Sequence, residues 1–196
     1  SDRIVTMAGG NPGCRIVPFR GEYHRLSPER EHLVRHLIYP LPEPGFPFLG
    51  VHFTRRTGGG IDAGPNAVLA FAREGYDLAT INLLDLSSAL TFPGLWYFVA
   101  KYPHMVAREL GQSFDRRRFL TALQRLVPEV SHQDLVPSGS GVRAQAMDAR
   151  GELINDFVWS QSPGAVHVIN APSPAATASL VIGREIATQV QNQLVR

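Results

Sequence analysis

Asn170-Ala171-Pro172-Ser173-Pro174-Ala175-Ala176-Thr177-Ala178-Ser179 reads as a strand end, a tight turn and the abrupt start of a helix. Ser173 suits an N-cap, and Pro174 then takes the first helical position, where its missing N–H costs nothing. Ala175, Ala176, Ala178 and Ser179 leave that start without bulk, so another body can approach the backbone. A helix N-terminus presents free N–H groups and about half a positive charge, which suits an anionic or electron-accepting ligand. A small-residue helix packed on a sheet satisfies the same pattern.

Outward from this stretch, strand patterns precede it at Gly141–Met147, Phe157–Trp159 and Val166–Asn170, and the helix runs on to about Leu194. Further upstream the chain opens with a helix end over residues 2–8. Residues 14–26 then alternate as a strand, and shorter strands are expected at Leu37–Leu41, Leu49–Arg55 and Ala67–Ala72. Gly58-Gly59-Gly60 predicts a hairpin turn, and the proline-rich 42–47 stretch predicts irregular chain. From Leu83 to Leu126 the period is helical: Leu95, Phe98, Val99, Tyr102, Met105, Val106 and Leu110 recur at threes and fours. Pro93 can start this helix, Pro103 should kink it, and a second helix runs from Arg116 to Leu126. Strands, helices, strands and a helix predict an α+β fold, with a largely antiparallel, mixed sheet and helices on one side.

The bulk numbers exclude several classes. The chain has 196 residues and a 44% apolar fraction, which is globular rather than disordered. Its net charge is +2, and Lys101 is the only lysine. The arginines are spread along the chain, with no extended basic run and no aromatic–basic alternation of the kind that tracks a nucleic-acid backbone, so no nucleic-acid partner is expected. One cysteine, Cys14, excludes an internal disulfide and a multi-cysteine zinc site. His32 and His36 are four apart but lack a third ligand, so no metal is expected.

Several motifs carry possible chemistry. Gly139-Ser140-Gly141-Val142-Arg143-Ala144 matches the spacing G-x-G-x-x-A, but no buried apolar strand precedes it and no good helix follows. It reads as a loop entering a strand. Arg143, on that strand, either clamps a carboxylate through two parallel hydrogen bonds or is a solvated strand arginine. His52, in Gly50-Val51-His52-Phe53-Thr54-Arg55, is either a satisfied structural group or a general base. By alternation Arg20 and Glu22 share one face of a strand, and Tyr23 and Arg25 the other. Phe92-Pro93-Gly94-Leu95-Trp96-Tyr97-Phe98 packs in a core or seats a helix start on a membrane surface.

Six segments in order resemble one known family. They are Ile16-Val17-Pro18-Phe19-Arg20-Gly21-Glu22-Tyr23, Gly50-Val51-His52-Phe53-Thr54-Arg55, Gly64-Pro65-Asn66-Ala67-Val68-Leu69-Ala70, Arg73-Glu74-Gly75-Tyr76, Gly141-Val142-Arg143-Ala144-Gln145 and the 170–179 stretch. Together they are similar to the L-2-hydroxyglutarate dehydrogenase/oxidase family, among the D-amino-acid-oxidase-like FAD-dependent oxidoreductases. Such proteins begin with a glycine-rich dinucleotide fold that this chain lacks. The resemblance therefore implies the C-terminal portion of a longer enzyme: a flavin-domain tail over 1–13, a substrate-binding domain over 14–140, and a sheet return with the C-terminal flavin-contacting helix over 141–196. It implies noncovalent FAD, held mainly upstream, and hydride transfer from a 2-hydroxy acid; the isolated chain would be inactive. His52 would be the catalytic base. Arg143, Tyr23 and Asn66 would bind substrate. Arg20, Gly21, Pro172, Ser173, Pro174, Ala175, Ala176 and Thr177 would touch the cofactor, and the helix dipole would stabilise its reduced N1/O2 edge. The acceptor would be oxygen or a quinone, and the location cytoplasmic or peripheral at the inner face of a membrane. An amino-acid oxidase of the same superfamily and a noncatalytic binding module without cofactor are the alternatives.

Overall fold

A computed structural model of the protein describes residues 1–41, 48–172 and 175–194. The architecture is α+β, and the paired strands with a recorded register are antiparallel. The chain forms two compact units, each assembled from separate stretches: residues 1–17, 92–98 and 145–196 in one, 18–91 and 99–144 in the other.

The larger unit is built on a sheet of order β2-β3-β1-β4, with β5 also paired to β1. Its strands are β1 (Arg15–Leu26), β2 (His52–Arg55), β3 (Ile61–Gly64), β4 (Val68–Leu69) and β5 (Leu135–Met147). β2 and β3 form the hairpin expected around Gly58-Gly59-Gly60, with Phe53 opposite Ala63 and Arg55 opposite Ile61. Leu26, Phe53, Ile61 and Ala63 form the core with Phe119 and Leu123. Those last two lie four apart, on one face of a helix.

Helices fill the middle of the chain as expected, but in more pieces. They are α2 (Leu83–Leu90), α3 (Pro93–Lys101), α4 (Pro103–Phe114) and α5 (Arg116–Gln124). Pro103 does not kink one long helix; it starts a new one, with Tyr102 at the N-cap. A proline at the first helical position loses nothing, whereas one in the interior loses a hydrogen bond. Asp115 is extended and caps α5 by accepting from the Arg117 N–H at 2.9 Å.

The smaller unit contains α1 (Asp2–Met7), the antiparallel pair β6 (Val158–Ser162) and β7 (Ala165–Asn170), and α6 (Ser179–Leu194). Its core is Val5, Cys14, Ile16, Ala146 and Ile169. Asp2 ties α1 to the start of β1: its Oδ2 accepts from the Ile16 N–H at 3.0 Å.

Three further expectations are corrected. Leu37–Leu41 is not a strand. Ile38 makes a lone bridge to Phe53; Pro40 has no N–H to extend it, and a residue before proline is itself restricted. Residues 139–140 are not a loop but lie inside β5, which also takes in the strand expected from Gly141. Pairing to β1 organises them, although their own side chains carry little apolar signal. The last helix begins at Ser179, not Ser173. Ala175 and Ala178 make i→i−3 turns to Pro172 and Ala175, and the α pattern starts where Ile182 N–H meets Ala178 O at 3.0 Å. The expected Ser173 cap and the Pro174 position lie outside the described residues. Among those described, no single helix is long and apolar enough to cross a membrane.

Candidate functional site

β1 passes through the larger unit carrying Arg20 and Glu22 on one face, as the period of two requires. Arg20 Nη2 donates to Glu22 Oε1 at 2.9 Å. Arg20 is only 2% exposed, so its charge is held out of water and depends on that carboxylate. Asn66 closes the other side of Glu22. Its Oδ1 accepts from the Glu22 backbone N–H at 2.7 Å, and its Nδ2 donates to Glu22 Oε2 at 2.9 Å. Ser113, on α4, donates to the same Oε2 at 2.9 Å. One turn earlier, Glu109 Oε2 accepts from the Ala67 N–H at 2.8 Å. Two α4 residues four apart thus pin the 65–67 segment and the Glu22 carboxylate.

His52 opens β2, opposite Gly64 on β3. Its Nδ1 lies 2.9 Å from the Gly50 carbonyl. A carbonyl only accepts, so Nδ1 carries the proton and Nε2 keeps its lone pair. Burial pushes the His52 pKa down from its ordinary value; the Gly50 carbonyl opposes this, and the Arg143 charge adds to it. The imidazole is therefore neutral and able to accept a proton near pH 7. Gly64 makes the crossing possible: its φ is +133°, and a Cβ there would lie 2.7 Å from the Glu22 carbonyl oxygen.

Arg143 lies within β5, half-buried, with its guanidinium 5.5 Å from the centroid of the Phe48 ring. That distance suits a cation–π contact and leaves the planar fork its hydrogen-bonding edges. Tyr23 is half-buried on β1. A Cβ on Gly141, two residues before Arg143 and so on the same face of β5, would lie 3.9 Å from Tyr23 Cε2.

Charge couples His52 to Arg143, and β5 carries Tyr23's neighbour Gly141 on the face of Arg143. Asn66 belongs to the Arg20–Glu22 network, where both ends of its amide are occupied. Gly21 neighbours Arg20 and packs tightly: a Cβ there would come 2.6 Å from Pro65 Cβ and 2.9 Å from Asn66 O. Pro172, Ala175, Ala176 and Thr177 lie in the smaller unit, ahead of α6. Ala175 already gives its N–H to Pro172 O at 3.0 Å. The expected dipole at 172–177 is therefore displaced to the true helix start at Ser179. Ser173 and Pro174 lie outside the described residues.

Two supporting residues have no signature in the sequence. Tyr39 stacks on His52, and Ser113 reaches Glu22 from α4. No spacing rule links Tyr39 to His52. The only available signal for Ser113 was its place four residues after Glu109.

One observation bears on a flavin. Arg20 Nε is buried and has no hydrogen-bond partner. A buried guanidinium donor without an acceptor fits the electron-rich edge of such a ring. The residues present thus fit one edge contact, while the glycine spacing at 139–144 lies within a strand and offers no cradle for a pyrophosphate.

The chain matches the family described as DAO, FAD dependent oxidoreductase, over residues 1–189. It is 52% identical over 184 residues to L-2-hydroxyglutarate dehydrogenase of Indibacter alkaliphilus, covering 93% of this chain and 46% of that protein. It is 50% identical over 192 residues to the mitochondrial L-2-hydroxyglutarate dehydrogenase of Nematostella vectensis, covering 95% and 42%. With L-2-hydroxyglutarate dehydrogenase of Escherichia coli K12 it shares 44% over 194 residues, covering 99% and 46%. The chain spans less than half the length of these curated relatives.

Proposed function

The chain belongs to the DAO family of FAD-dependent oxidoreductases, and from that premise we propose that it is the substrate-side part of an enzyme oxidising L-2-hydroxyglutarate to 2-oxoglutarate. The identity to dehydrogenases of that substrate supports the choice of 2-hydroxy acid. The observation that carries the chemistry is the tautomer of His52, with Nδ1 committed to the Gly50 carbonyl and Nε2 left to accept.

In this reading Arg143 pairs with a substrate carboxylate through its planar fork, and Tyr23 orients the second carboxylate or the hydroxyl. His52 Nε2 takes the hydroxyl proton as the C2–O bond becomes a carbonyl. FAD, when bound, supplies the two-electron acceptor for the C2 hydride. Arg20 and Gly21 from β1, and separately the 172–177 segment, would hold parts of it. Asn66 serves by fixing Glu22, and through Glu22 the buried Arg20. The imidazolium then returns its proton to solvent, which its lowered pKa favours. Oxygen or a quinone would serve as the final acceptor. Peripheral membrane contact through α3 belongs to the same reading and is supported by Trp96 and Tyr97, which are 55% and 61% exposed.

The test uses the intact protein with its flavin. His52→Gln should lower kcat on L-2-hydroxyglutarate by about 10²–10⁴-fold, the usual weight of a general base, with flavin absorbance unchanged. A kcat within about threefold of the parent overturns the base assignment. Arg143→Lys should raise KM for the dicarboxylate, and an unchanged KM removes Arg143 from the site. Turnover of L-amino acids in preference to the hydroxy acid would redirect the substrate reading.

A further inference from the structure

The groove between α4 and α5 has a volume of about 360 Å³. His104, Arg108 and Gln112 line it from α4, and Arg118 and Thr121 from α5 with Arg125 at its C-cap. These residues recur at fours on one helix and at three and four on the other, so each set is a single stripe. Facing stripes of two packed helices ordinarily bury apolar side chains. Here they bring three guanidinium groups and an imidazole into one groove, where like charges repel.

The local counter-charge is small and largely committed. Glu109 Oε1 lies 3.9 Å from Arg108 Nε, while its Oε2 is bound to the Ala67 N–H. Asp115 Oδ2 lies 3.7 Å from Arg118 Nε, while its Oδ1 caps α5. The side chains of Arg125 and His104 have no ion-pair or hydrogen-bond partner among the described residues. Gln112 is 9% exposed, and its Oε1 is buried without a partner. A buried amide oxygen without a partner is unfavourable, so it marks a place where a donor is missing.

We propose that this groove is a binding site for a small hydroxylated polyanion. Anionic oxygens answer the arginines, whose planar forks take carboxylate or phosphate in pairs. A hydroxyl on the same molecule answers Gln112 Oε1. Hydroxy-polycarboxylates and sugar-type phosphate esters share this chemistry. The groove uses neither His52 nor Arg143, so the site stands whether or not the oxidation reading holds.

The test is titration calorimetry on the intact protein, with citrate, tricarballylate and glycerol 3-phosphate as probes. Citrate or glycerol 3-phosphate should bind once per chain, and the tighter of the two identifies the source of the ligand. Citrate should bind more tightly than tricarballylate, which lacks only the hydroxyl. Arg118→Gln with Arg125→Gln should weaken binding at least tenfold; both side chains are exposed, so the fold should tolerate the change. Thr121→Trp, which fills the groove without altering charge, should abolish binding. Arg143→Gln should leave it unchanged. Absence of binding by both hydroxylated probes overturns the proposal, as does affinity that neither groove variant alters.

Discussion

Tyr39 lies flat against the imidazole of His52, with ring centroids 4.2 Å apart and planes 17° from parallel. The stack fixes the plane of the imidazole, and the Gly50 carbonyl fixes its rotation within that plane. Together they set the direction of Nε2. Tyr39 is itself held at both ends: its neighbour Ile38 bridges Phe53, and its hydroxyl lies 3.1 Å from Thr54 Oγ1.

Tyr39 should therefore act as a positioning residue for the base. Tyr39→Phe keeps the ring and should hold kcat within about threefold, since stacking of this kind is worth about 0.5–1.5 kcal/mol and is retained. Tyr39→Leu should lower kcat more than it changes KM. It should also move the acidic limb of the kcat–pH profile upward, toward the ordinary histidine value of about 6.5, because wetting the ring undoes the burial that depresses its pKa. A Leu variant with the parent pH profile would leave Tyr39 no such role.

Asn66→Asp tests the Glu22 clamp. The substitution keeps the shape but puts a carboxylate oxygen where Nδ2 now donates to Glu22 Oε2. Losing a buried donor costs about 1–3 kcal/mol, and facing two carboxylates adds to it. Denaturant unfolding should show that loss, together with weaker flavin retention as Arg20 loses its ordered partner. An unchanged midpoint would mean that Asn66 does not carry the clamp.

The stability of the larger unit should fall in acid. His24 packs 4.7 Å from the Phe119 ring, and its Nδ1 is buried without a partner. Burial lowers its pKa first; Arg116 and His132 add to this, and Glu22 opposes it. His52 is lowered too. A group whose folded pKa lies below its unfolded value binds more protons when unfolded, so its contribution is present above about pH 6.5 and is lost as pH falls below that. The melting temperature should drop between about pH 7.5 and 5.5, and His24→Leu should flatten that dependence. A slope that His24→Leu does not change would assign the acid sensitivity elsewhere.

Cys14 should be chemically quiet. Its thiol pKa is pushed up by burial and then by the Asp2 carboxylate, and the thiolate is the reactive form. Iodoacetamide at mildly alkaline pH should label it slowly in the native protein and rapidly after denaturation. Equal rates in the two states would contradict the buried placement.

Local features foretold much of this arrangement. The alternation of residues 14–26 became β1, Gly58-Gly59-Gly60 joined a real hairpin, and Pro93 marked a real helix start, whereas Pro103 began a new helix where a kink was expected. Apolar period and proline chemistry act over a few residues, so they survive in any context. Residues 37–41 and 139–140 misled for the opposite reason. Whether a segment is a strand depends on a partner for its N–H and C=O groups, and β1 supplied one to β5 where Pro40 denied one to its own segment. The start of α6 failed in the same way, because small residues at 175–178 permit turn and helix alike.

The six ordered motifs, the pairing of Arg20 with Glu22 on one strand face, and the candidacy of His52 and Arg143 were determined by the sequence alone. They rest on residue types and short-range periodicity. Only the tertiary structure decided that Asn66 spends its amide on Glu22, that the Gly50 carbonyl leaves Nε2 of His52 free to accept, and that two stripes of arginine-bearing helix face each other. It also decided that the two units are assembled from interleaved stretches of chain. These outcomes depend on which distant groups packing brings within hydrogen-bond reach. No local pattern encodes that choice, because it follows from the free energy of the whole folded chain.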